Sequence, residues 1–257
     1  MLHVDLTGRT ALVTGGSGQI GRAICISLAR AGARVAFTYF SNHDGADETA
    51  AALREIRDED PPIIRVNLTH KGAVEEVAEV AREQLGSVDI YIANAASGVL
   101  KPVSEFTRKH WDWTFGVNAR AMFFLAQALA CCDEPLMGQG GRIVGLSSLG
   151  AHRAIPQYTM VGASKAAMES VSRGLALELG PRGITVNVVS PGVIDTWALQ
   201  QFPNRETLLQ IAEMKTPAGR LCTPPDVAHT VLFLCAPEAA MIHGQTLTVD
   251  GGYAMTA

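Results

Sequence analysis

Positive charge is in short supply in this 257-residue sequence: 21 Lys and Arg face 25 Asp and Glu, for a formal net charge of −4. No surplus exists to neutralise nucleic-acid phosphates or anionic lipid, so neither DNA binding nor membrane association is expected. Cysteine is equally uninformative as a staple. Cys25, Cys131, Cys132, Cys222 and Cys235 include no C-x-x-C pair, and two are adjacent, which fits a reduced, cytoplasmic setting rather than a disulfide framework. The 7 histidines show no ligand spacing, so no metal is expected. The longest uncharged apolar run, Ala121–Cys132, falls well short of the roughly 20 residues of a membrane span. MLHVDLTGRTALVTGG has no basic segment leading into a long apolar stretch, so export is not expected. Repeats, low-complexity tracts and charge runs are also lacking.

What the sequence does have is apolar content, 47% against 18% charged. A chain this long makes one large domain or at most two small ones. Short apolar runs recur at Thr10–Val13, Arg34–Tyr39, Ile63–Val66, Asp89–Ala93, Arg142–Ser147, Ile184–Ser190 and Gln245–Val249. Amphipathic segments separate them, such as Ala73–Leu85, where Val74, Val77, Ala81 and Leu85 recur at helical spacing. Strands apolar on both faces belong to a covered parallel sheet, and parallel strands need crossover helices. The pattern predicts an α/β fold: a doubly wound parallel sheet of about seven strands with helices on both faces, filling 1–257 as one domain. Pro61-Pro62 and Pro224-Pro225 read as turns rather than linkers.

Directly after the first strand runs Thr14-Gly15-Gly16-Ser17-Gly18-Gln19-Ile20-Gly21, followed by a helix-forming segment. Strand, glycine turn and helix together make a dinucleotide site: the glycines admit the pyrophosphate close to the backbone, and the helix N-terminus offers free N–H groups. Gly15, Ser17, Gly18, Gln19, Ile20 and Gly21 are therefore candidate cofactor residues. In open parallel sheets the ligand lies beyond the carboxyl ends of the strands, which adds Asn67 and Leu68, Asn94, Ala95 and Ala96, Ser147 and Ser148, and Pro191 and Gly192. After the second strand the chain reads Thr38-Tyr39-Phe40-Ser41-Asn42-His43, with no acid until Asp44. A ribose 2′-phosphate meets no carboxylate there, and Ser41, Asn42 and His43 can hydrogen-bond it, though no Arg or Lys stands in the turn. NADPH is favoured, with NADH left open.

Ten residues beyond Ser148 comes Tyr158, and seven further on comes Lys165, on what reads as one helix. Seven steps of about 100° fall within roughly 20° of two full turns, so phenol and ammonium project from one face. A cation near a phenol favours the phenolate.

These features resemble the short-chain dehydrogenases/reductases, with their Rossmann-type sheet, along nearly the whole chain. The resemblance is carried by TGGSGQIG at 14–21, ANAA at 93–96, Asn118 in FGVNARAMFF, the serines at 147–148, the Tyr/Lys helix, SPGVIDT at 190–196 and GQTLTVDGG at 244–252. Two positions depart from the family pattern. Its middle glycine falls on Gln19, with Gly18 one place early, and its usual tyrosine position is Val161. The Tyr158–Lys165 spacing, with NAASGVLKPVSEFTRKHWDWT, SSLGAHR, FPNRE and TPAGR, is similar to the type III enoyl-acyl-carrier-protein reductases.

That likeness implies a reaction and a set of roles. Hydride from NADPH would reach Cβ of a trans-2-enoyl thioester on acyl carrier protein during fatty-acid elongation. Tyr158 would hydrogen-bond the thioester carbonyl, Lys165 the nicotinamide-ribose hydroxyls, and Ser148 the substrate or the tyrosine. Asn118 would hold a water, or simply satisfy a bent helix backbone. Ile194 and Thr196 join Pro191 and Gly192 on the cofactor. Ala96, Trp197, Leu199 and Phe202 join Tyr158 on the substrate, the last three within a lid insertion at about 196–216. His110-Trp111-Asp112-Trp113 is expected to pack where a helix begins. The apolar helix of Ala121–Cys132 and the Tyr/Lys helix would build a homotetramer. Two rivals stand beside this expectation: a 3-oxoacyl or other carbonyl-directed reductase of the same fold, and a non-catalytic module that senses NADPH.

Overall fold

The computed structural model describes residues 4–196, 199 and 204–256. Seven strands form one sheet: β1 (Thr10–Val13), β2 (Arg34–Tyr39), β3 (Ile63–Arg65), β4 (Ile90–Ala93), β5 (Arg142–Leu146), β6 (Thr185–Pro191) and β7 (Thr246–Val249). Their order is β3-β2-β1-β4-β5-β6-β7, with every pairing parallel. Each strand lies where a short apolar run predicted it, with ends shifted by at most one residue.

Two apolar layers explain why the strands read as continuous hydrophobic runs. Leu12, Ala36, Tyr91 and Ile143 pack one face against α3 (Ala73–Leu85), α5 (Ala121–Ala130) and α6 (Thr159–Leu179). Val13, Val35, Phe37 and Ile92 pack the other against α1 (Gln19–Arg30), α2 (His43–Arg57) and α8 (Pro224–Cys235). The chain winds one way from β1 through β2 to β3, then crosses back to β4 on the other side of β1 and winds the other way, so a cleft opens above the carboxyl end of β1, where such folds bind ligands.

Pro224-Pro225 does not form a turn. The two prolines are the first residues of α8, after the N-cap Thr223, which forms a capping box with Asp226. Proline suits a helix start because its missing N–H has no intrahelical acceptor there and its φ is already helical. Helix α4 (Arg108–Phe115) runs through a π-helical turn, Gly116–Arg120, into α5. His110 completes the cap of α4 with Thr107, and Trp111 stacks on Phe115 at 4.1 Å, which is the packing expected of that segment. Among the described residues no helix is long and apolar enough to cross a membrane.

Candidate active site

The glycine turn is shaped by close approach. Gly15 sits at φ 71°, and a Cβ there would come within 2.9 Å of Ala95 Cα. At Gly21 a Cβ would lie 2.2 Å from the Gly15 carbonyl oxygen. Asn94 fastens the turn to β4 by donating from Nδ2 to the carbonyls of Thr14 and Gly15, both at 3.0 Å. Thr14 Oγ1 accepts from Ala95 N–H at 3.1 Å. Gly18 is the N-cap of α1, and a Cβ there would meet nothing nearer than 3.7 Å, so glycine is not demanded. Gln19 begins the helix itself, which explains how the family's middle glycine can be replaced without breaking the turn.

No side chain caps α1, and its first backbone bond runs from Arg22 N–H to the Gly18 carbonyl at 2.8 Å. The amides ahead of that bond are not consumed by the helix, and they carry the positive end of its dipole. A pyrophosphate fits such a cradle. Ser17 is buried and its carbonyl accepts from Asn42 Nδ2 at 2.9 Å, which joins the glycine turn to the β2–α2 turn. Asn42 also caps α2 by accepting from Gly45 N–H, so its side chain is already engaged; Ser41 remains exposed.

Along the rest of the carboxyl edge the candidates divide. Leu68 is buried beside the cleft, whereas the Asn67 side chain is committed to a local turn, accepting from Thr69 N–H and Oγ1 at 3.1 and 2.8 Å. Ala96 is exposed. Pro191 ends β6, and Gly192 passes so close to β7's end that a Cβ would lie 2.8 Å from Asp250 Cα. Ile194 is buried, and its carbonyl accepts from Thr196 N–H at 2.8 Å. Leu199 is half-buried, and Trp197 and Phe202 lie outside the described residues. Asp195 and Arg205 pair with both carboxylate oxygens at 2.7 and 2.6 Å, which ties the start of the insertion to α7 (Arg205–Lys215).

The phenol and the ammonium both sit on α6. Tyr158 is its N-cap, with the preceding Gln157 in the left-handed region at φ 61°. The phenol oxygen lies 3.2 Å from Ser148 Oγ, just past the end of β5. Ser148 Oγ in turn accepts from Gly150 N–H at 3.3 Å. Burial pushes the Tyr158 hydroxyl above its ordinary value, an effect the Ser148 hydrogen bond partly offsets. Lys165 is 4% exposed and donates from Nζ to the Leu146 carbonyl at 2.7 Å. Burial lowers its pKa from 10.5 to about 8. An ammonium has three donors, so two remain for other acceptors such as sugar hydroxyls.

Val161, in the family's usual tyrosine position, is a packing residue. It is buried, and a Cβ added to Gly98 would meet its Cγ2 at 2.2 Å. Gly150 makes room for the phenol in the same way: a Cβ there would lie 2.5 Å from Tyr158 Cδ1 and Cε1. Gly150→Ala is therefore expected to displace the ring and lower kcat by about 10–100-fold, the usual cost of a displacement near 1 Å, with nucleotide affinity retained. Steady-state kinetics beside a nucleotide titration checks this.

Asn118 is completely buried in the π-helical turn. It accepts from Ser97 N–H at 2.8 Å and donates to the Ser97 carbonyl at 2.9 Å and to Ser164 Oγ at 2.8 Å. Its amide thus braces the loop after β4 against α6. Ser97 also accepts from Trp113 Nε1.

One buried group escaped the sequence reading. Glu169, one turn beyond Lys165, is 2% exposed, accepts from Ser147 Oγ at 2.5 Å and pairs with His152 Nε2 at 2.7 Å. It anchors the loop that carries Ser148. The signal available in the sequence was an acid four residues after Lys165 on an otherwise apolar helix face.

Known proteins are similar to this chain in sequence and in fold. The sequence profile of the family described as enoyl-(acyl carrier protein) reductase matches residues 16–254. The 1-cyclohexenylcarbonyl-CoA reductase of Streptomyces collinus is 38% identical over 97% of this chain and 88% of its own length. A hydroxynaphthalene reductase-like protein of Metarhizium majus is 32% identical over 96% of each. A short-chain dehydrogenase of Burkholderia cenocepacia, solved in complex with NADP, superposes with a TM-score of 0.87 at 35% identity, over 96% of this chain and 98% of that one. With the seven-stranded parallel sheet, the glycine turn and the serine, tyrosine and lysine in place, the chain belongs to the short-chain dehydrogenases/reductases.

Proposed function

We propose that this protein is an NADPH-dependent enoyl reductase, which saturates a trans-2-enoyl thioester carried by acyl carrier protein in fatty-acid elongation. The observation that carries the reading is the exchange of places on α6: Tyr158 presents its hydroxyl beside Ser148, and Val161 fills the usual tyrosine position. In ketone reduction the oxygen needing a proton is one bond from the carbon that receives hydride. In an enoyl thioester the charge collects on an oxygen three bonds from Cβ. Three residues along a helix are about 4.5 Å, which moves the donor toward that more distant oxygen.

When bound, the nicotinamide supplies the hydride. This chain's own residues bind, orient and stabilise the enolate, and water or a relay returns the proton to Cα. Tyr158 donates a hydrogen bond to the thioester oxygen as charge develops, and Ser148 orients the phenol. Lys165 keeps the surroundings positive and holds the ribose. The glycine turn with Asn94 and Ala95 seats the pyrophosphate and adenosine side. Leu208 and Ile211, exposed on one side of α7, give the insertion an apolar surface suited to an acyl chain. The Burkholderia protein's NADP and the unsaturated acyl thioester named for the Streptomyces reductase both support this reading. Exposed Phe124 on α5 and Leu177 on α6 support a homotetramer, to be measured by sedimentation.

The rival is carbonyl reduction, favoured by the hydroxynaphthalene reductase-like relative. Following NADPH absorbance with crotonyl and acetoacetyl thioesters, each on acyl carrier protein and on CoA, separates the two. Oxidation with the crotonyl thioester is expected, and faster on carrier protein. Oxidation with the acetoacetyl thioester alone overturns the reading, and nucleotide binding without turnover of either indicates a sensor.

A further inference from the structure

The β2–α2 turn poses an electrostatic question. A ribose 2′-phosphate carries close to two negative charges, and residues 40–43 contain no Arg or Lys. Nearby side chains are already engaged. Asn42 bonds Gly45 and Ser17, His43 Nδ1 lies 3.3 Å from Tyr39 Oη, and Arg22 is held by Glu48 and by Thr49 Oγ1 at 3.2 Å.

The adjacent strand supplies the missing cation. Parallel pairing sets Arg65 of β3 opposite Tyr39 of β2, and Val66 N–H donates to the Tyr39 carbonyl at 2.8 Å. In this register the Arg65 side chain lies beside the end of β2, where its Nε donates to the Phe40 carbonyl at 3.4 Å. The side chain is exposed, and no carboxylate pairs with it among the described residues. A guanidinium anchored through Nε still presents its two terminal nitrogens, the fork that binds phosphate oxygens in a bidentate manner. Ser41, one residue beyond the anchoring carbonyl, is exposed and adds a hydroxyl. The first acid, Asp44, lies within α2, so the turn itself sets no carboxylate against the phosphate.

We propose that Arg65 discriminates NADPH from NADH by closing on the ribose 2′-phosphate at the β2–α2 turn. The proposal rests on the nucleotide reading above and is indifferent to which acyl substrate is reduced.

Calorimetric titration of the wild-type protein, Arg65→Ala and Arg65→Lys with NADPH and with NADH tests it. Wild type is expected to prefer NADPH, and the preference to shrink as salt is raised. Arg65→Ala should weaken NADPH by about 10–100-fold, the size of one charge-assisted contact, with NADH changed little; Arg65→Lys should fall between. NADH serves as the internal control for folding. An equal effect on both nucleotides, no effect on either, or a wild-type preference for NADH overturns the assignment. Turnover of a crotonyl thioester with NADH in that last case would leave the reductase reading standing. Binding of neither nucleotide by wild type overturns both.

Discussion

Tyr158→Phe is expected to lower kcat by about 10²–10⁴-fold while NADPH affinity stays nearly unchanged. The phenyl ring fills the same space against Gly150, so packing is conserved, and only the hydroxyl beside Ser148 is lost. That hydroxyl acts on charge that develops in the transition state, so its loss belongs to kcat rather than to ground-state binding. Burial already disfavours the ionised phenol. The group therefore rests as a proton donor, the form needed to hydrogen-bond a developing enolate. Stopped-flow hydride transfer and a separate nucleotide titration check both halves, and a large loss of NADPH binding would contradict the role.

The second large effect concerns Lys165. Lys165→Met is expected to reduce kcat/KM by about 10²-fold or more with melting temperature nearly unchanged. Burial lowers the ammonium's pKa from 10.5 to about 8, so keeping it charged at neutral pH costs about 3 kcal/mol, which the apolar replacement removes. Against that, the Leu146 carbonyl loses its donor, worth about 1–3 kcal/mol. The two terms nearly cancel, and only function suffers.

The sign of the pH dependence follows from the same shift. Below about pH 8 the ammonium is present, and above it the charge offered to the ribose is lost, so kcat/KM of the wild type should fall through that region. The Met variant should show no such limb. For stability, the unfolded lysine keeps its proton up to 10.5 and the folded one releases it near 8. The unfolded state thus holds more protons within that window, and wild-type stability should rise with pH across it. Chemical denaturation at pH 8 and pH 10 measures the difference.

The β-strands were legible because each is an almost uninterrupted apolar run, the signature of a sheet covered on both faces. The glycine turn and the Tyr158–Lys165 pair were legible because their chemistry depends on short sequence spacing. What stayed hidden depends on register between distant segments. Arg65 reaches the β2–α2 turn only because β3 pairs with β2 one strand over. Asn118 finds Ser97 and Ser164 through the π-helical turn, whose extra residue no periodicity reveals. Glu169 looks like an ordinary helix acid until Ser147 and His152 close on it. Asn67, well placed at a strand end, turned inward to Thr69 because an Asx-type turn satisfies local amides first. Gln19 resembled a defect in the glycine turn, yet it opens α1, where any good helix former serves.

The central claim is where the hydride goes, and its most direct test follows the label. With 4-deuterated NADPH and an equimolar mixture of crotonyl and acetoacetyl thioesters on acyl carrier protein, mass spectrometry reads which product carries deuterium. The account expects deuterium at C3 of the butanoyl chain and an unlabelled 3-hydroxybutanoyl pool. Deuterium at C3 of the 3-hydroxybutanoyl chain, with the crotonyl thioester recovered intact, would contradict it.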